Sequence, residues 1–309
     1  MTPTPAVGPA TDDATGPLAR PGAAAFLRAC ALDVAVRKPG NVSAASPGHG
    51  MHAALFLASA ETACAGLFAA GARVGERIEA AVIASLAVAG CNTNLGIVLL
   101  CAPLALAMES GRPLRAALRG VLAGLDQGDA AAAFRAIAAA RPGGLGRVAT
   151  EDVSAPPTGS LLQAMTLAAP RDCIARQYAN GFAELWEVGL AALHALPAAA
   201  TLESALMQAH QRRAVQAVYM AYLGRFPDSH IARKFGLATA EAVALEAAPW
   251  LARAEQGQDL GQDPTFAAWD ESLKSRGLNP GTSADLTVAT LFIADALADA
   301  ASTQISASP

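Results

Sequence analysis

Lysine is rare in this sequence: of 22 basic residues, only Lys38, Lys234 and Lys274 are lysines. The formal net charge is −4, and no segment is strongly basic. A protein that binds nucleic acid needs a basic stripe, and this sequence offers none. Aromatic residues make up only 5% of the chain, and apolar and polar residues do not alternate over any long stretch. Both shortages argue against a protein built from β-sheets.

The motifs of several common enzyme and metal-binding classes are also missing. The five cysteines are scattered, with no Cys-X-X-Cys pair and no Cys/His cluster that would hold zinc, so we expect buried free thiols. The sequence has no dinucleotide-binding fingerprint, no P-loop, no zinc-protease motif and no nucleophile elbow. The N-terminus lacks a basic segment followed by an apolar one, so no signal peptide is predicted and a cytoplasmic location is expected.

Alanine, by contrast, is abundant: it makes up about a quarter of the chain, and it is the strongest helix former. Apolar residues recur at helical spacing in successive segments, for example 23–37 and 53–70. The sequence therefore predicts an all-α protein with a single multi-helical, bundle-like domain over residues 23–301. Residues 1–22 and 302–309 are rich in small and polar residues, and both are predicted to be disordered tails.

The longest apolar stretch runs from Ala80 to Met108 and has three polar residues, Asn92, Thr93 and Asn94, near its centre. Neither apolar half reaches the roughly 20 residues that span a bilayer, and a polar triplet would be costly in lipid. We therefore expect a helix, or a broken pair of helices, buried in the protein. Buried amides and hydroxyls need hydrogen-bond partners or a cavity. The triplet is thus either the floor of a site or a polar knot that fixes helix register.

A second candidate region is the loop after the first predicted helix. It starts with the helix-breaking sequence Lys-Pro-Gly at 38–40 and continues for about fifteen residues rich in glycine, serine and proline. Long loops in compact domains are commonly functional or disordered. Several side chains in this loop suit an anion such as phosphate: Lys38, Asn41, Ser43, His49 and His52. An ordinary surface loop is the alternative, in which Lys38 only caps the preceding helix.

Acidic residues at two places offer carboxylates. Glu76 and Glu79 are three residues apart near the start of a predicted helix, so they share a face and could hold Mg²⁺. A solvated first turn favoured by the helix dipole is the alternative, and spacing alone favours it. Near the C-terminus, Thr282 or Ser283 can cap the last helix. Asp285 then lies in the first turn of that helix, where backbone N–H groups favour anions.

Three segments together resemble the triphosphoribosyl-dephospho-CoA synthases and their relatives. The first is Lys-Pro-Gly-Asn-Val-Ser at 38–43, which a Phe-Leu-Ala-Ser-Ala stretch follows. The second, Asn-Thr-Asn-Leu-Gly at 92–96, is similar to the family's Asn-Thr-His-Lys-Gly. The third, Asn-Pro-Gly-Thr-Ser-Ala-Asp-Leu at 279–286, is similar to its Asn-Pro-Gly-Gly-Ser-Ala-Asp-Leu. The resemblance extends over roughly residues 24–300.

This resemblance implies an all-α transferase. Synthases of the family cleave the N-glycosidic bond of ATP, release adenine and join the triphosphoribosyl unit to a ribose hydroxyl of dephospho-CoA, with Mg²⁺ on the phosphates. Such a reaction needs cations and hydrogen-bond donors on the triphosphate. It also needs an acid for the departing adenine and a base for the acceptor hydroxyl.

The candidate site combines the motif residues with the nearby carboxylates. The candidate catalytic residues are Asp285, Asn92 and Glu79. The candidate residues for binding substrate and phosphate are Lys38, Gly40, Asn41, Ser43, His49, Thr93, Asn94, Asn279, Gly281 and Ser283. The candidate ligands of Mg²⁺ are Asp285, Glu79 and Glu76.

The chain departs from the family pattern within two motifs. The family's His-Lys is Asn94-Leu95 here, which removes a cationic phosphate contact, and the Asp before the methionine of the first motif is Gly50. The second motif instead resembles a branch found in archaea and methylotrophic bacteria. Genes of that branch tend to lie with those for one-carbon metabolism and tetrahydromethanopterin.

Three hypotheses for the function follow. The first, which the missing lysine favours, is transfer of a phosphoribosyl unit from phosphoribosyl diphosphate to a hydroxyl acceptor in tetrahydromethanopterin-type cofactor biosynthesis. The alternative is the family reaction proper, with ATP and dephospho-CoA as substrates. The third is a non-catalytic helical subunit of a cofactor-biosynthesis complex, and the three retained motifs argue against it. The expected partners are small-molecule substrates, with neither nucleic acid nor a membrane involved, and a homodimer is left open.

Overall fold

The computed structural model describes residues 22–143, 152–196 and 204–306. Within these ranges the chain forms fourteen α-helices, a short π-helix at Leu185–Leu190 and a 3-10 helix at Leu260–Gln262. No β-sheet occurs among the described residues, and the two isolated bridges both lie in the loop between residues 43 and 51. The all-α class predicted from the alanine content and the helical spacing is confirmed.

The α-helices follow one another along the chain. They are α1 (Ala23–Ala35), α2 (Ala53–Leu67), α3 (Val74–Ala89), α4 (Leu95–Met108), α5 (Leu114–Ala123), α6 (Gln127–Ala140), α7 (Leu161–Ala168), α8 (Cys173–Asn180), α9 (Ala191–His194), α10 (Ser204–Leu223), α11 (Ser229–Phe235), α12 (Leu237–Glu255), α13 (Pro264–Ser275) and α14 (Gly281–Ser306).

Helix α4 lies at the centre of the protein. Twelve of its 14 residues are buried, because its sequence is apolar on every side and other helices cover it all round. It packs against α3, α5 and α14. Three phenylalanines, Phe26 of α1, Phe68 after α2 and Phe292 of α14, contact one another with ring centroids 5.9–6.2 Å apart. They join the two terminal parts of the domain into one core.

The central apolar stretch is a broken pair of helices, one of the two arrangements that its sequence predicts. Helix α3 ends at Ala89, and Gly90 closes it with left-handed backbone geometry (φ 67°). Helix α4 begins at Leu95, whose N–H donates a hydrogen bond to Asn92 Oδ1 (3.1 Å). The polar triplet therefore lies at a helix N-terminus, where free N–H groups need acceptors.

A smaller second core fills the C-terminal part, where α10 to α13 pack around Tyr219, Ile231 and Phe266. Trp250 of α12 packs edge-on against Phe266, with ring centroids 5.0 Å apart. Helix α10 also packs against α14 and so connects the two cores. The described residues thus form one all-α domain.

Three boundaries differ from the sequence-based expectation. Helix α2 ends at Leu67 rather than at residue 70. Helix α1 ends at Ala35 rather than at residue 37, because Pro39 has no N–H to donate to the Ala35 carbonyl. Helix α14 continues to Ser306, so residues 302–306 are helical where the composition predicts a disordered tail. The rest of both predicted tails, residues 1–21 and 307–309, lies outside the described residues.

The segment Gly281–Asp299 of α14 is long and apolar enough, by length and composition alone, to cross a membrane. In this structure 61% of that window is buried inside the protein. It packs against α1, α4 and α10, as a core helix does.

Candidate functional site

A cavity of about 700 Å³ opens where the three sequence motifs meet. Small-molecule sites typically have volumes of about 300–1,000 Å³, so this space suits a substrate. Seven of the predicted site residues line it: Asn41, His49, Asn92, Thr93, Asn279, Gly281 and Asp285. Five others are buried but do not line it: Lys38, Gly40, Ser43, Asn94 and Ser283.

The loop of the first motif is held against α13 and the start of α14. The Gly40 N–H donates to Asp270 Oδ1 (2.9 Å), and Asn41 Nδ2 donates to Asn279 Oδ1 (2.9 Å). Gly40 has a φ of 79°, and a Cβ atom there would lie 2.7 Å from Pro280 Cδ, so the position requires glycine. The first and third motifs therefore meet directly, and their asparagines line the cavity together.

Lys38 is fully buried and lies outside the cavity lining. Its ammonium donates to the Asp33 carbonyl oxygen (2.6 Å) and lies 3.1 Å from Asp33 Oδ1. The structure therefore does not place Lys38 at the cavity, where the sequence predicts a contact with phosphate. The alternative is observed instead, because Lys38 caps the last turn of α1. The carboxylate of the pair is the member that reaches the site, since Asp33 lines the cavity.

The polar triplet has both of the roles that the sequence leaves open: part of it fixes the packing of helices, and part of it forms the floor of the cavity. Asn94 Nδ2 donates to Ser85 Oγ (3.0 Å), a buried contact that fixes α4 against α3. Thr93 Oγ1 donates to Ser59 Oγ of α2 (2.8 Å), yet Thr93 and Asn92 also line the cavity. Asn94 is therefore structural, whereas its two neighbours face the space where a substrate would lie.

Gly96 allows α14 to approach α4 closely. A Cβ atom at Gly96 would collide with Asp285 Oδ2, and it would lie 2.6 Å from Asp285 Cγ and 2.7 Å from Ile174 Cδ1. Real Cβ atoms essentially never make such contacts, so no side chain fits at this position. The glycine of the second motif thus creates the room for the aspartate of the third.

Asp228 holds the first turn of α14 in place. Its Oδ2 accepts hydrogen bonds from the Ser283 N–H (2.7 Å) and the Ser283 hydroxyl (2.8 Å), while its Oδ1 accepts from two N–H groups at the start of α11. One buried carboxylate therefore caps two helices. Because its hydroxyl is bonded to Asp228, Ser283 does not reach the cavity as the sequence predicts.

Asp285 lies one turn further along α14, half-buried in the cavity lining. Within the described ranges, no group donates a hydrogen bond to it. Burial raises the pKa of Asp285 well above the usual range, the nearby Asp228 and Asp33 raise it further, and Arg233 opposes them. A carboxyl in this setting keeps its proton to higher pH than an exposed carboxyl does and is suited to donate it to a leaving group.

Four cationic side chains line the cavity: Arg141, Arg171, Arg233 and Lys234. Arg233 forms an ion pair with Asp172, which also caps the N-terminus of α8. The other three have no acidic partner in the part of the chain that the structure describes, and all three are exposed. Unpaired arginine and lysine side chains are suited to bind phosphate oxygens.

Two histidines add hydrogen-bonding groups to the lining. His49 Nε2 lies 2.8 Å from the Gly40 carbonyl oxygen. His230 Nε2 is buried and has no hydrogen-bond partner among the described residues. Burial, together with the nearby Lys234 and Arg233, lowers the pKa of His230 to about 3, so its ring is neutral at physiological pH.

Glu76 and Glu79, the predicted metal ligands, lie outside the cavity lining, so the structure does not bring them, or the predicted catalytic role of Glu79, to this cavity. Both Glu79 carboxylate oxygens accept hydrogen bonds from Arg135 of α6 (2.6 Å each). Glu76 accepts a hydrogen bond from the Arg73 N–H (2.8 Å) at the start of α3. Both contacts arise because α3 packs against α6 and needs its first turn capped.

Sequence reasoning missed several residues of the lining: Asp33, Arg141, Arg233, Lys234 and His230. It also missed an apolar wall from α6 and α7: Phe134, Ile137, Leu161, Ala164 and Met165. One signal was available, because Asp33 is an acidic residue between Leu32 and Val34 in a helix whose only other charged residue is Arg28. A charge at such a position needs a partner or a function.

Comparison with known proteins gave a family match and a structural match. The model of the ATP:dephospho-CoA triphosphoribosyl transferase family (CitG) matches residues 19–304. A protein of Archaeoglobus fulgidus, to which triphosphoribosyl-dephospho-CoA synthase activity is attributed, has a similar crystal structure with a TM-score of 0.56. It shares 25% sequence identity, and the match covers 78% of this chain and 97% of that one. No curated protein sequence matches the chain.

Proposed function

The chain belongs to the ATP:dephospho-CoA triphosphoribosyl transferase family, and on that premise we propose that it moves the triphosphoribosyl unit of ATP to a hydroxyl of dephospho-CoA or a close relative, with release of adenine. The observation that carries the proposal is the cavity. It brings a carboxyl with a raised pKa, three unpaired cations and an apolar wall around one space of suitable size.

The family match and the structural match favour ATP and dephospho-CoA over the hypothesis that the missing lysine favours, phosphoribosyl diphosphate with a pterin-type acceptor. No finding supports a link to tetrahydromethanopterin. Leu95 stands where the family has lysine, but Arg171, Arg141 and Lys234 bring positive charge to the same cavity from other elements. Membership of a transferase family also argues against a non-catalytic binding subunit.

The residues of the cavity divide between binding and chemistry. Arg141, Arg171 and Lys234 bind the triphosphate, where exposed cations are needed. The apolar wall of α6 and α7 receives the apolar parts of the two substrates. Asp285 donates its proton to the adenine ring as the N-glycosidic bond breaks, because a neutral leaving group departs more easily than an anion.

The site suits Mg²⁺ that is bound to the nucleotide rather than to the protein alone. Among the described residues, no group of three or more metal-type side chains occurs. Asp33 is paired with Lys38, and Asp172 with Arg233. The raised pKa of Asp285 disfavours the ionised form that a metal ligand needs. We propose that Mg²⁺ enters on the triphosphate, whose charge it would neutralise, as it does in many nucleotide-dependent enzymes.

Adenine release tests the choice of donor. The protein is incubated with Mg²⁺ and dephospho-CoA, with either ATP or phosphoribosyl diphosphate as donor, and free adenine and diphosphate are measured by liquid chromatography. We expect adenine from ATP only when the acceptor is present, and no acceptor-dependent diphosphate from phosphoribosyl diphosphate. Consumption of phosphoribosyl diphosphate with no adenine from ATP would overturn the proposal.

A further inference from the structure

The chemistry described so far uses Asp285 but leaves a second carboxylate of the same cavity without a task. Asp33 is only 4% exposed, yet it lines the cavity from α1. The Lys38 ammonium lies 3.1 Å from Asp33 Oδ1, and Lys38 itself is completely buried and outside the lining. The pair is therefore oriented, with its carboxylate towards the substrate space and its ammonium behind.

Asp33 and Asp285, two of the four aspartates that line the cavity, have different electrostatic surroundings. Burial raises the pKa of Asp33 above its usual range, and the charge and hydrogen bonding of Lys38 offset only part of this rise. Asp285 has no such partner, and both Asp33 and Asp228 disfavour its ionisation. Two carboxyl groups in one site whose surroundings differ in this way are suited to act as a base and an acid.

The Asp33 carboxylate also keeps unused capacity to accept hydrogen bonds. Although Lys38 Nζ is close to Oδ1, its hydrogen bond goes to the Asp33 carbonyl oxygen. Asp33 Oδ1 is buried beside this ammonium, 3.1 Å away, and no described residue donates a hydrogen bond to Oδ2. A buried carboxylate left in this condition is costly for folding alone, because its lone pairs are unsatisfied. A hydroxyl that enters the cavity can satisfy the carboxylate.

We propose that Asp33 is the base that accepts the proton of the acceptor hydroxyl, and that Lys38 is a positioning residue whose ammonium lies behind the Asp33 carboxylate. The inference rests on the proposed function. As the bond between ribose C1′ and the adenine nitrogen breaks, Asp285 gives its proton to adenine. The acceptor oxygen bonds to C1′ and its proton passes to Asp33. Asp33 ends neutral and Asp285 ionised, and exchange with water restores both.

Two variants test this role: Asp33→Asn alone, and Asp33→Asn combined with Lys38→Met. The single variant leaves Lys38 buried without a counter-charge, so it can fail to fold. The double variant removes both charges, and replacing a buried ion pair with uncharged groups is often tolerated. In the folded protein we expect kcat to fall by about 10²- to 10⁴-fold, the usual contribution of a general base. The Kd for ATP should change by less than about threefold, because neither residue is assigned to the triphosphate.

A matched control separates loss of a base from loss of a buried ion pair. Arg77 is also completely buried and pairs with Glu109 (2.8 Å), and neither residue lines the cavity. The Glu109→Gln variant unpairs a buried cation as the Asp33→Asn variant does. We expect it to lower the melting temperature but to leave kcat unchanged.

The pH dependence of kcat distinguishes a catalytic role from a structural one. If Asp33 and Lys38 only stabilised the fold, replacing Lys38 would not shift the pH profile. The rate of the wild-type enzyme should rise with pH as Asp33 loses its proton, and the Lys38→Met variant should shift this limb to higher pH because the stabilising cation is gone. Other titratable groups that face Asp33 are Cys30, Tyr219 and Asp285. Burial raises the pKa of the Cys30 thiol and of the Tyr219 hydroxyl, so both stay neutral across this limb.

The outcomes separate the two proposals. A folded double variant with wild-type kcat, or a Lys38→Met variant with an unshifted pH limb, would overturn the assignment of Asp33 and leave the proposed function standing. A wild-type protein that binds ATP but transfers nothing to dephospho-CoA would overturn the proposed function, and the assignment of Asp33 with it. An inactive, folded double variant that still binds ATP supports both.

Discussion

The contact between Gly96 and Asp285 provides a direct test of how the motifs build the site. In the Gly96→Ala variant, the new Cβ would overlap the Asp285 carboxylate and lie 2.7 Å from Ile174 Cδ1. Ordinary contact begins at about 3.5 Å between carbon atoms, so atoms on both sides must move by close to 1 Å. Asp285 is the side chain at the cavity edge, and we expect it to be displaced.

The stability change of this variant should be modest because two effects oppose each other. Overpacking of a well-packed core costs about 1–3 kcal/mol. Alanine is favoured over glycine inside a helix by about 0.8–1.0 kcal/mol, although the benefit is smaller in the first turn. The net loss is therefore about 0–2 kcal/mol. Displacement of a reacting group by about 1 Å can lower the rate by about 10²-fold. We expect kcat/KM to fall by that factor in a protein that is still folded.

Two other glycines serve as controls for this variant, with stability followed by urea denaturation and activity by adenine release. A Cβ atom at Gly66 would lie 2.7 Å from Ala81 N at the contact between α2 and α3, outside the cavity lining. The Gly66→Ala variant should therefore lose stability but keep its activity. A Cβ at Gly120 meets no atom within 4 Å, so the Gly120→Ala variant should gain up to about 1 kcal/mol. A Gly96→Ala variant with wild-type kcat/KM would contradict the claim that the new Cβ displaces Asp285 from its reactive position.

Three further expectations follow from the site. The Lys38→Ala variant should lower the free energy of unfolding by about 3–5 kcal/mol, because it leaves Asp33 buried without its partner; an unchanged value in urea denaturation would contradict the pair. The Lys234→Ala and Arg171→Ala variants should each weaken ATP binding about 5- to 10-fold at low salt and less at high salt, whereas the Arg112→Ala variant, outside the lining, should not. Calorimetric titration should show no binding of Mg²⁺ to the protein alone, but tighter binding of ATP with Mg²⁺ than with EDTA.

The parts of the fold that depend on neighbouring residues in the chain could be predicted from the sequence. Helical spacing predicts most of the helices. The apolar stretch around the polar triplet predicts a single helix or a broken pair, and the structure has the broken pair, in which Asn92 accepts a hydrogen bond from the Leu95 N–H. The meeting of the first and third motifs, which Asn41 and Asn279 make by a direct hydrogen bond, followed from the family resemblance. Nothing in their spacing of more than 200 residues requires it.

The remaining site residues depend on partners that local sequence does not reveal. Glu79 has the right chemistry for a metal, but Arg135, 56 residues away, holds both of its oxygens. By sequence, Lys38 resembles an exposed loop residue. In the structure its side chain reaches back to the last turn of α1, where its ammonium lies beside Asp33. Lys234 lies on a short helix with no motif, and only the packing of α11 against α14 brings it to the cavity.

The most direct test of the account is the mass of the product. The wild-type protein is incubated with Mg²⁺, dephospho-CoA and ATP that carries ¹³C in its ribose, and the products are analysed by mass spectrometry. The account predicts a dephospho-CoA species that gains the mass of one labelled triphosphoribosyl unit, together with an equal amount of unlabelled adenine. An acceptor that gains only phosphate, or adenine still bonded to the labelled ribose, would contradict transfer of the triphosphoribosyl unit.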